Sequence, residues 1–372
     1  MNLIFITIDG ARADCIIKGN NFQKIIAKSA FFSKVIAYAP YTIAAMHAIF
    51  SGVYGNKTGV NSYWSNIKFK KDKYKSLAKY LQDEGYVTHA DVINKLVLPH
   101  DGFDEFIVHD EIHDNLTERH LSLLDKFSNL RTNGKKFFLY LHYSNIHTGI
   151  MEQVLKKYNN FSQEYFSNCE KNEIFYDKLF TAADEYLGTI ISQCENLNFL
   201  NDTLIVIISD HGISVGDKLG ERAYGVFCYD YTLVSNALFY HKKIPKISVK
   251  DQVRSIDILP TILEILSIPI DTKYEKLQGE SLLSFINGNG TSKIAFSQSG
   301  NPLNTGQPPK EPNVWAVRTN EWKFIRNIHD QSEELYSLND DPKEESNVIT
   351  EFPEIANTLR KELEHQAANT QF

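Results

Sequence analysis

The sequence predicts an α/β fold: a mainly parallel sheet flanked by helices on both faces, with a small C-terminal α+β subdomain. Three observations predict it. Apolar, β-rich runs alternate with helix-periodic segments from the N-terminus onward. Two of those runs, Leu3–Ile8 and Leu204–Ile208, stop abruptly at Asp9-Gly10 and Ser209-Asp210-His211-Gly212. Beyond about residue 290 the texture changes to a polar loop, a hairpin and one last helix.

Each element follows from its own pattern. Leu3–Ile8 is the first strand. Phe22, Ile25, Ile26 and Ser29 recur at helical spacing and place a helix over Asn21–Ala30. Ser76–Glu84 is a second helix, closed by Gly85 where a left-handed residue ends many helices. Tyr86–Val92 and Phe137–Tyr143 read as strands, the latter central. Ile174–Leu197 is a long amphipathic helix with Leu179, Ala183, Leu187 and Ile190 on one face. Ile256–Leu266 reads as a helix interrupted early by Pro260. Residues 298–313 form a loop rich in Gly, Pro, Asn and Gln. Val314–Val317 and Lys323–Ile328 make a hairpin turning at Thr319-Asn320-Glu321, and Pro353–Ala367 is the final helix. The expected boundary lies near 290, dividing a large α/β body (1–290) from a C-terminal subdomain (291–372) packed on it.

Composition bounds the function. A hydrophobic fraction of 42% over 372 residues supports a sizeable core, and a net charge of −7 leaves no electrostatic footprint for nucleic acid. Cys15, Cys169, Cys194 and Cys228 are far apart and include no CxxC pair, which predicts reduced thiols and a cytoplasmic protein. The apolar N-terminus is short, lacks a basic flank and runs into Asp9, so it reads as a strand and not a signal peptide. No apolar run approaches the roughly 18 residues of a membrane span.

The residues that carry chemistry cluster at strand ends, where functional groups gather in open α/β sheets. Asp210 and His211 follow a buried strand, and Gly212 frees them from the ladder. Carboxylate and imidazole together suit zinc or manganese better than calcium. Asp9 ends another strand and would share the rim. Thr42 opens an apolar helix containing Ala45, Ala48 and Ile49, at a helix start that favours an anion. Its hydroxyl becomes a nucleophile only when a metal or base removes the proton. Each has a plainer explanation as well: a strand-end cap for Asp210, a helix N-cap for Asp9 or Thr42. His147, beyond the strand at Phe137–Tyr143, is placed to contact substrate or act as general acid. Lys218 and Arg222 follow in the loop 216–224, able to bind anion oxygens or simply to be solvated. His142 reads as a core residue and Asp184 as a structural one.

The blocks taken together resemble the sulfatase family of the alkaline phosphatase superfamily over nearly the whole chain. Ile6-Thr7-Ile8-Asp9-Gly10 is similar to the family's opening strand and metal-binding aspartate, and Thr42 to Gly52 to its nucleophile segment. Ser76–Leu81, Gly85–Thr88 and Gly102–Glu105 match the next block; Phe137–His142 with Ile146-His147-Thr148 resembles the strand and histidine that meet the substrate anion. Ser209-Asp210-His211-Gly212 is the most specific block. Ser255–Leu263, Gln278–Leu282 and Glu334–Leu338 complete the order.

The resemblance implies a metal held by Asp9, Thr42, Asp210 and His211, with Thr42 and His147 catalytic and His147, Lys218 and Arg222 on the substrate. One divalent ion, zinc or manganese, is expected; the spacing assigns no ligands to a second. Lys95 falls near a family site lysine, though its surrounding motif is poorly kept. Two departures matter. Sulfatases carry Cys or Ser at position 42, with Pro and Arg following to direct its conversion to formylglycine; here the run is Thr42-Ile43-Ala44-Ala45-Met46. Gly10 stands where another metal-binding Asp is common. These departures turn the expectation toward the phosphate-handling branch: hydrolysis or transfer of phosphodiesters, phosphomonoesters or phosphonates through a covalent phospho-threonine, on a small-molecule or glycan-linked substrate. The alternatives are a sulfate ester hydrolase and a non-catalytic binder of phosphorylated or sulfated glycans. Specificity is expected from the loops 54–75, 148–172 and 298–313.

Overall fold

The computed structural model of the chain describes residues 1–62, 68–155, 167–303, 307 and 309–368. Parts of the three loops expected to set specificity, at 63–67, 156–166, 304–306 and 308, lie outside the described residues.

Thirteen strands form two sheets among the described residues. The large one comprises β1 (Asn2–Ile8), β2 (Ala30–Ile36), β3 (Val87–Val92), β4 (Glu105–Val108), β5 (Phe137–Tyr143), β6 (Thr203–Ile208), β7 (Val234–Tyr240), β8 (Ile247–Val249) and β9 (Val253–Arg254). Their order is β4-β3-β5-β1-β6-β7-β2-β8, with β9 also on β2, and only β7 runs against its neighbours. The mainly parallel sheet is as expected. β1 is central and wholly buried, and its alternate side chains serve opposite faces. Ile4, Ile6 and Ile8 pack with the long helix Cys169–Asn196 and with Leu116–Thr132. Leu3 and Phe5 pack with Met46, Ile49 and Phe50 of the helix Thr42–Ser51 and with Leu259, Ile262 and Leu263 of the helix Ile258–Leu266.

The second sheet is antiparallel: β10 (Ala295–Ser299), β11 (Val314–Arg318), β12 (Trp322–Asn327) and β13 (Ser332–Ser337), in that order, followed by the helix Pro353–Ala368. β11 and β12 pair as the expected hairpin, with Arg318 opposite Lys323. Phe296, Val317, Leu359 and Leu363 form a cluster with Tyr38, Ala44 and Ala48, so the small sheet backs the helix that begins at Thr42.

Several expectations are corrected. The helix expected over Asn21–Ala30 stops at Ile26, because Ala30–Ile36 is the strand β2, whose Phe31, Phe32, Val35 and Ile36 are buried. Pro260 does not interrupt its helix. It stands in the first turn, where its missing N–H has no intrahelical partner to lose. Asp184, by contrast, has the structural place read from the sequence: its carboxylate accepts the backbone N–H of Asn21 at 3.0 Å and of Phe22 at 2.9 Å, capping the helix Asn20–Ile26 from the long helix. Asp184→Ala should cost about 1–2 kcal/mol, the usual worth of such a cap, read as a lowered urea midpoint with unchanged slope.

Candidate active site

Parallel pairing brings the strand ends together. Thr7 of β1 lies opposite Ile208 of β6 and His142 of β5, so Asp9, Asp210 and the segment after Tyr143 emerge on one rim. Two glycines make the close approach possible. Gly10 adopts φ +75, and a Cβ there would meet the Ile213 side chain at 2.9 Å; its N–H donates to Asp210 Oδ1 at 3.2 Å. A Cβ on Gly212 would fall 2.2 Å from the Tyr231 carbonyl oxygen, so only glycine fits after His211.

Thr42 stands at the centre. Its hydroxyl is 3.1 Å from Asp9 Oδ2 and 3.2 Å from His211 Nε2. His211 Nδ1 lies 2.8 Å from the Gly212 carbonyl oxygen, which can only accept; Nδ1 therefore carries the proton, and Nε2 turns its lone pair to the site. His211 Nε2 is also 3.7 Å from Asp9 Oδ1 and 3.5 Å from Asp210 Oδ2. His147 brings Nδ1 to 3.7 Å from Asp9 Oδ1, and His142 Nε2 sits 3.0 Å from Asp9 Oδ2. Asp9, Thr42, His147, Asp210 and His211 are thus gathered in one place.

The electrostatics ask for a cation. Burial alone would raise the Asp9 carboxyl, but His147, His142 and His211 outweigh it and hold the group below the ordinary carboxylate range. Asp210 goes the other way: burial and then the charge of Asp9 push it up. Asp9 Oδ1 and Asp210 Oδ2 are buried without a hydrogen-bond partner, a costly state that a divalent ion relieves. Ligand atoms of Asp9, Asp210 and His211 lie within 4.8 Å of one another. The donor set fits a metal, with Thr42 adjoining.

Other residues fare differently. Lys218 turns away: its ammonium meets the carbonyl oxygen of Glu344 and lies 4.7 Å over the Tyr229 ring, so it does not take up the substrate-binding place expected of it. Lys95 is exposed. Arg222 stays in the loop beside the site, two residues before Tyr224, with a partly buried side chain. Tyr224, not singled out from sequence, packs its ring 5.4 Å from His147 and 5.3 Å from His211, its hydroxyl 3.5 Å from His147 Nε2. Glu221 shapes that loop by accepting the N–H groups of Arg222, Val226 and Phe227, and burial pushes its carboxyl up to about 7. His142, read as a core residue, is buried yet touches Asp9; only the β1–β5 pairing reveals it.

Fold and strand-end cluster together have the plan of the alkaline-phosphatase type, with a candidate metal site at the strand ends. Residues 1–268 match the Sulfatase family model, and 227–369 match N-sulphoglucosamine sulphohydrolase, C-terminal. The chain belongs to the sulfatase family, whose enzymes are metal-dependent. Arylsulfatase K of Mus musculus is 28% identical over 219 residues, covering 55% of this chain and 39% of that protein. The chain therefore spans about two-fifths of the length of that relative. A protein solved with its substrate D-glucosamine-2-N,6-O-disulfate superposes at TM-score 0.74 with 17% identity, over 99% of this chain and 98% of the other. Phosphonate monoester hydrolase of Agrobacterium radiobacter does so at 0.76 with 15% identity, over 100% and 96%. At such identities the structural likeness establishes the fold.

One expectation is overturned. The phosphate-ester reading through a phospho-threonine rested on Thr42 replacing the formylglycine precursor. The curated relatives are sulfatases by name, which overturns that reading in favour of the sulfate-ester alternative. The phosphonate hydrolase does not offset this, because its likeness reaches the fold alone.

The metal reading has a direct test. Metal-depleted protein should regain one equivalent of divalent ion per chain. At a free concentration a hundredfold above Kd, the ion should add about 2.7 kcal/mol to unfolding stability. Elemental analysis and thermal melting check both, and Asp210→Ala should abolish the stabilisation.

Proposed function

We propose that the chain hydrolyses sulfate esters of a small molecule or glycan, with Asp9, Asp210 and His211 holding a divalent ion and Thr42 adjoining it. The observation that carries this is the convergence of those side chains, two with orphaned oxygens, on a chain of the sulfatase family. An ion bound there lowers the pKa of nearby hydroxyls and polarises an ester oxygen.

The protein's own groups supply the rest. Thr42 Oγ1 has Asp9 Oδ2 to accept its proton, since the lone pair of His211 Nε2 would go to the ion. The deprotonated oxygen attacks sulfur as the bond from sulfur to the alcohol oxygen breaks, and His147 donates the proton that the departing alkoxide takes up. A threonine O-sulfate results. Its carbon carries no second hydroxyl to expel the sulfate, so water attacks sulfur, the bond to Oγ1 breaks, and sulfate leaves with Thr42 restored. The second step is the harder one, which predicts a burst of alcohol stoichiometric with enzyme before slow turnover.

4-Nitrophenyl sulfate, 4-nitrophenyl phosphate and N- and O-sulfated glucosamines, each assayed with manganese, zinc and calcium, test the reading. Sulfate release with negligible phosphate release is the expected result. A preference for the phosphate, or no sulfate release from any compound with any metal, sinks it.

A further inference from the structure

A second buried cluster lies on the same rim, two strands from Asp9. Asp91 near the end of β3, His109 after β4 and Ser144 after β5 come from adjacent strands. Asp91 Oδ1 is 2.7 Å from His109 Nδ1, and His109 Nε2 is 3.1 Å from Ser144 Oγ. Arg119 Nε pairs with Asp91 Oδ2 at 2.6 Å; His120 sits 3.4 Å from Oδ1 and passes its other nitrogen to the Tyr186 hydroxyl at 2.6 Å. Asp91, His120 and Ser144 have no exposed surface and His109 has 3%.

Two readings compete: a second cation site, and a hydrogen-bond chain acting on the active site. Asp91, His109 and His120 do converge as ligands might. Their state differs from that of Asp9 and Asp210, however. No side-chain atom of Asp91, His109, His120 or Ser144 is left buried without a partner, whereas Asp9 Oδ1 and Asp210 Oδ2 both are. The carboxylate of Asp91 is already matched by Arg119, so a divalent ion would bring uncompensated positive charge into a dry site. The cluster is complete without a metal.

What it holds is informative. Ser144 is the residue between β5 and the short helix Asn145–Gly149, which carries His147, and its carbonyl accepts the N–H of Thr148 at 2.9 Å. Its hydroxyl donates to His109 Nε2, because the carboxylate of Asp91 takes the proton of Nδ1. Charge on Asp91 therefore sets the tautomer of His109, and the tautomer sets the orientation of Ser144. We propose that Asp91, His109 and Ser144 form a buried positioning chain that fixes the turn 144–148 so that His147 faces Asp9. This rests on the reading of His147 as the proton donor in sulfate-ester hydrolysis.

Ser144→Ala and Asp91→Asn test it in the whole, metal-loaded chain. With 4-nitrophenyl sulfate, kcat should fall about tenfold or more, the usual cost of losing an orienting partner, with KM changed less than about twofold. Both variants should keep one metal equivalent per chain. In the crystal structure of Ser144→Ala, His147 Nδ1 should have left its place beside Asp9 Oδ1. Ser144→Ala removes one hydroxyl and decides the matter alone if Asp91→Asn does not fold. An unchanged kcat, an unmoved His147, or a second metal equivalent that either substitution removes overturns the proposal. If the unsubstituted chain releases no sulfate, the functional reading fails, and the crystal structure still judges the positioning chain by itself.

Discussion

Thr42→Ala should lower kcat/KM for the best sulfate ester by at least about a thousandfold, roughly 4 kcal/mol of transition-state stabilisation. Thr42 is 8% exposed, and its hydroxyl sits within 3.2 Å of both an aspartate and a histidine. Alanine leaves Asp9, Asp210 and His211 in place, so bound metal should persist while turnover is lost. Thr42→Ser restores the oxygen and should recover activity to within about tenfold of the parent, since only a methyl group is missing. Burst kinetics sharpen the test, because the burst should vanish in the alanine variant and persist in the serine one. Alanine turnover within tenfold of the parent would remove Thr42 from the chemistry.

The second large effect is on stability. Lys323 of β12 has no exposed surface; its ammonium lies 2.9 Å from Asp230 Oδ1 and 2.8 Å from Glu344 Oε1. Arg318 also holds Asp230, at 2.8 Å. Burial would lower the Lys323 pKa, but the two carboxylates more than offset it and raise the group, whereas Glu344 is pushed up to about 7 by burial. Lys323→Met strips Glu344 of its counter-ion while Asp230 keeps Arg318. Breaking such a pair from one side costs about 3–5 kcal/mol, because a buried charge is left uncompensated. Denaturant unfolding should show that loss, and adding Glu344→Gln to Lys323→Met should recover part of it. Equal losses in the single and double variants would show that the pair contributes nothing through its charges.

How much of this was legible follows from where each signal resides. β1, β5 and β6 are buried along their whole length and stand out as continuous apolar runs. β4 is a sheet-edge strand with mostly exposed residues, and its apolar run, Phe106-Ile107-Val108, is too short to stand out. β2 carries no separate signal, because Phe31 and Phe32 follow Phe22, Ile25 and Ile26 with only Ala27, Lys28, Ser29 and Ala30 between them, and no Gly or Pro marks the break. Asp9, Thr42, Asp210 and His211 were visible through the glycines and strand ends beside them. His142 and Tyr224 were not, since what brings them in is strand register and a loop folded around Glu221. Lys218 shows the converse: its position in sequence fits an anion binder, yet the partner that takes its charge is 126 residues away.

The backing of the Thr42 helix by Phe296, Val317, Leu359 and Leu363 has a consequence for how the chain matures on the ribosome. Ala44 and Ala48 cannot be covered until segments about 250 and 310 residues later have been made and have docked. Until then an apolar strip lies bare beside a half-assembled reaction centre, a natural target for holdase chaperones. Hydrolytic competence, on this account, is acquired late, and premature termination in the last helix should produce molecules that are both inert and prone to aggregate.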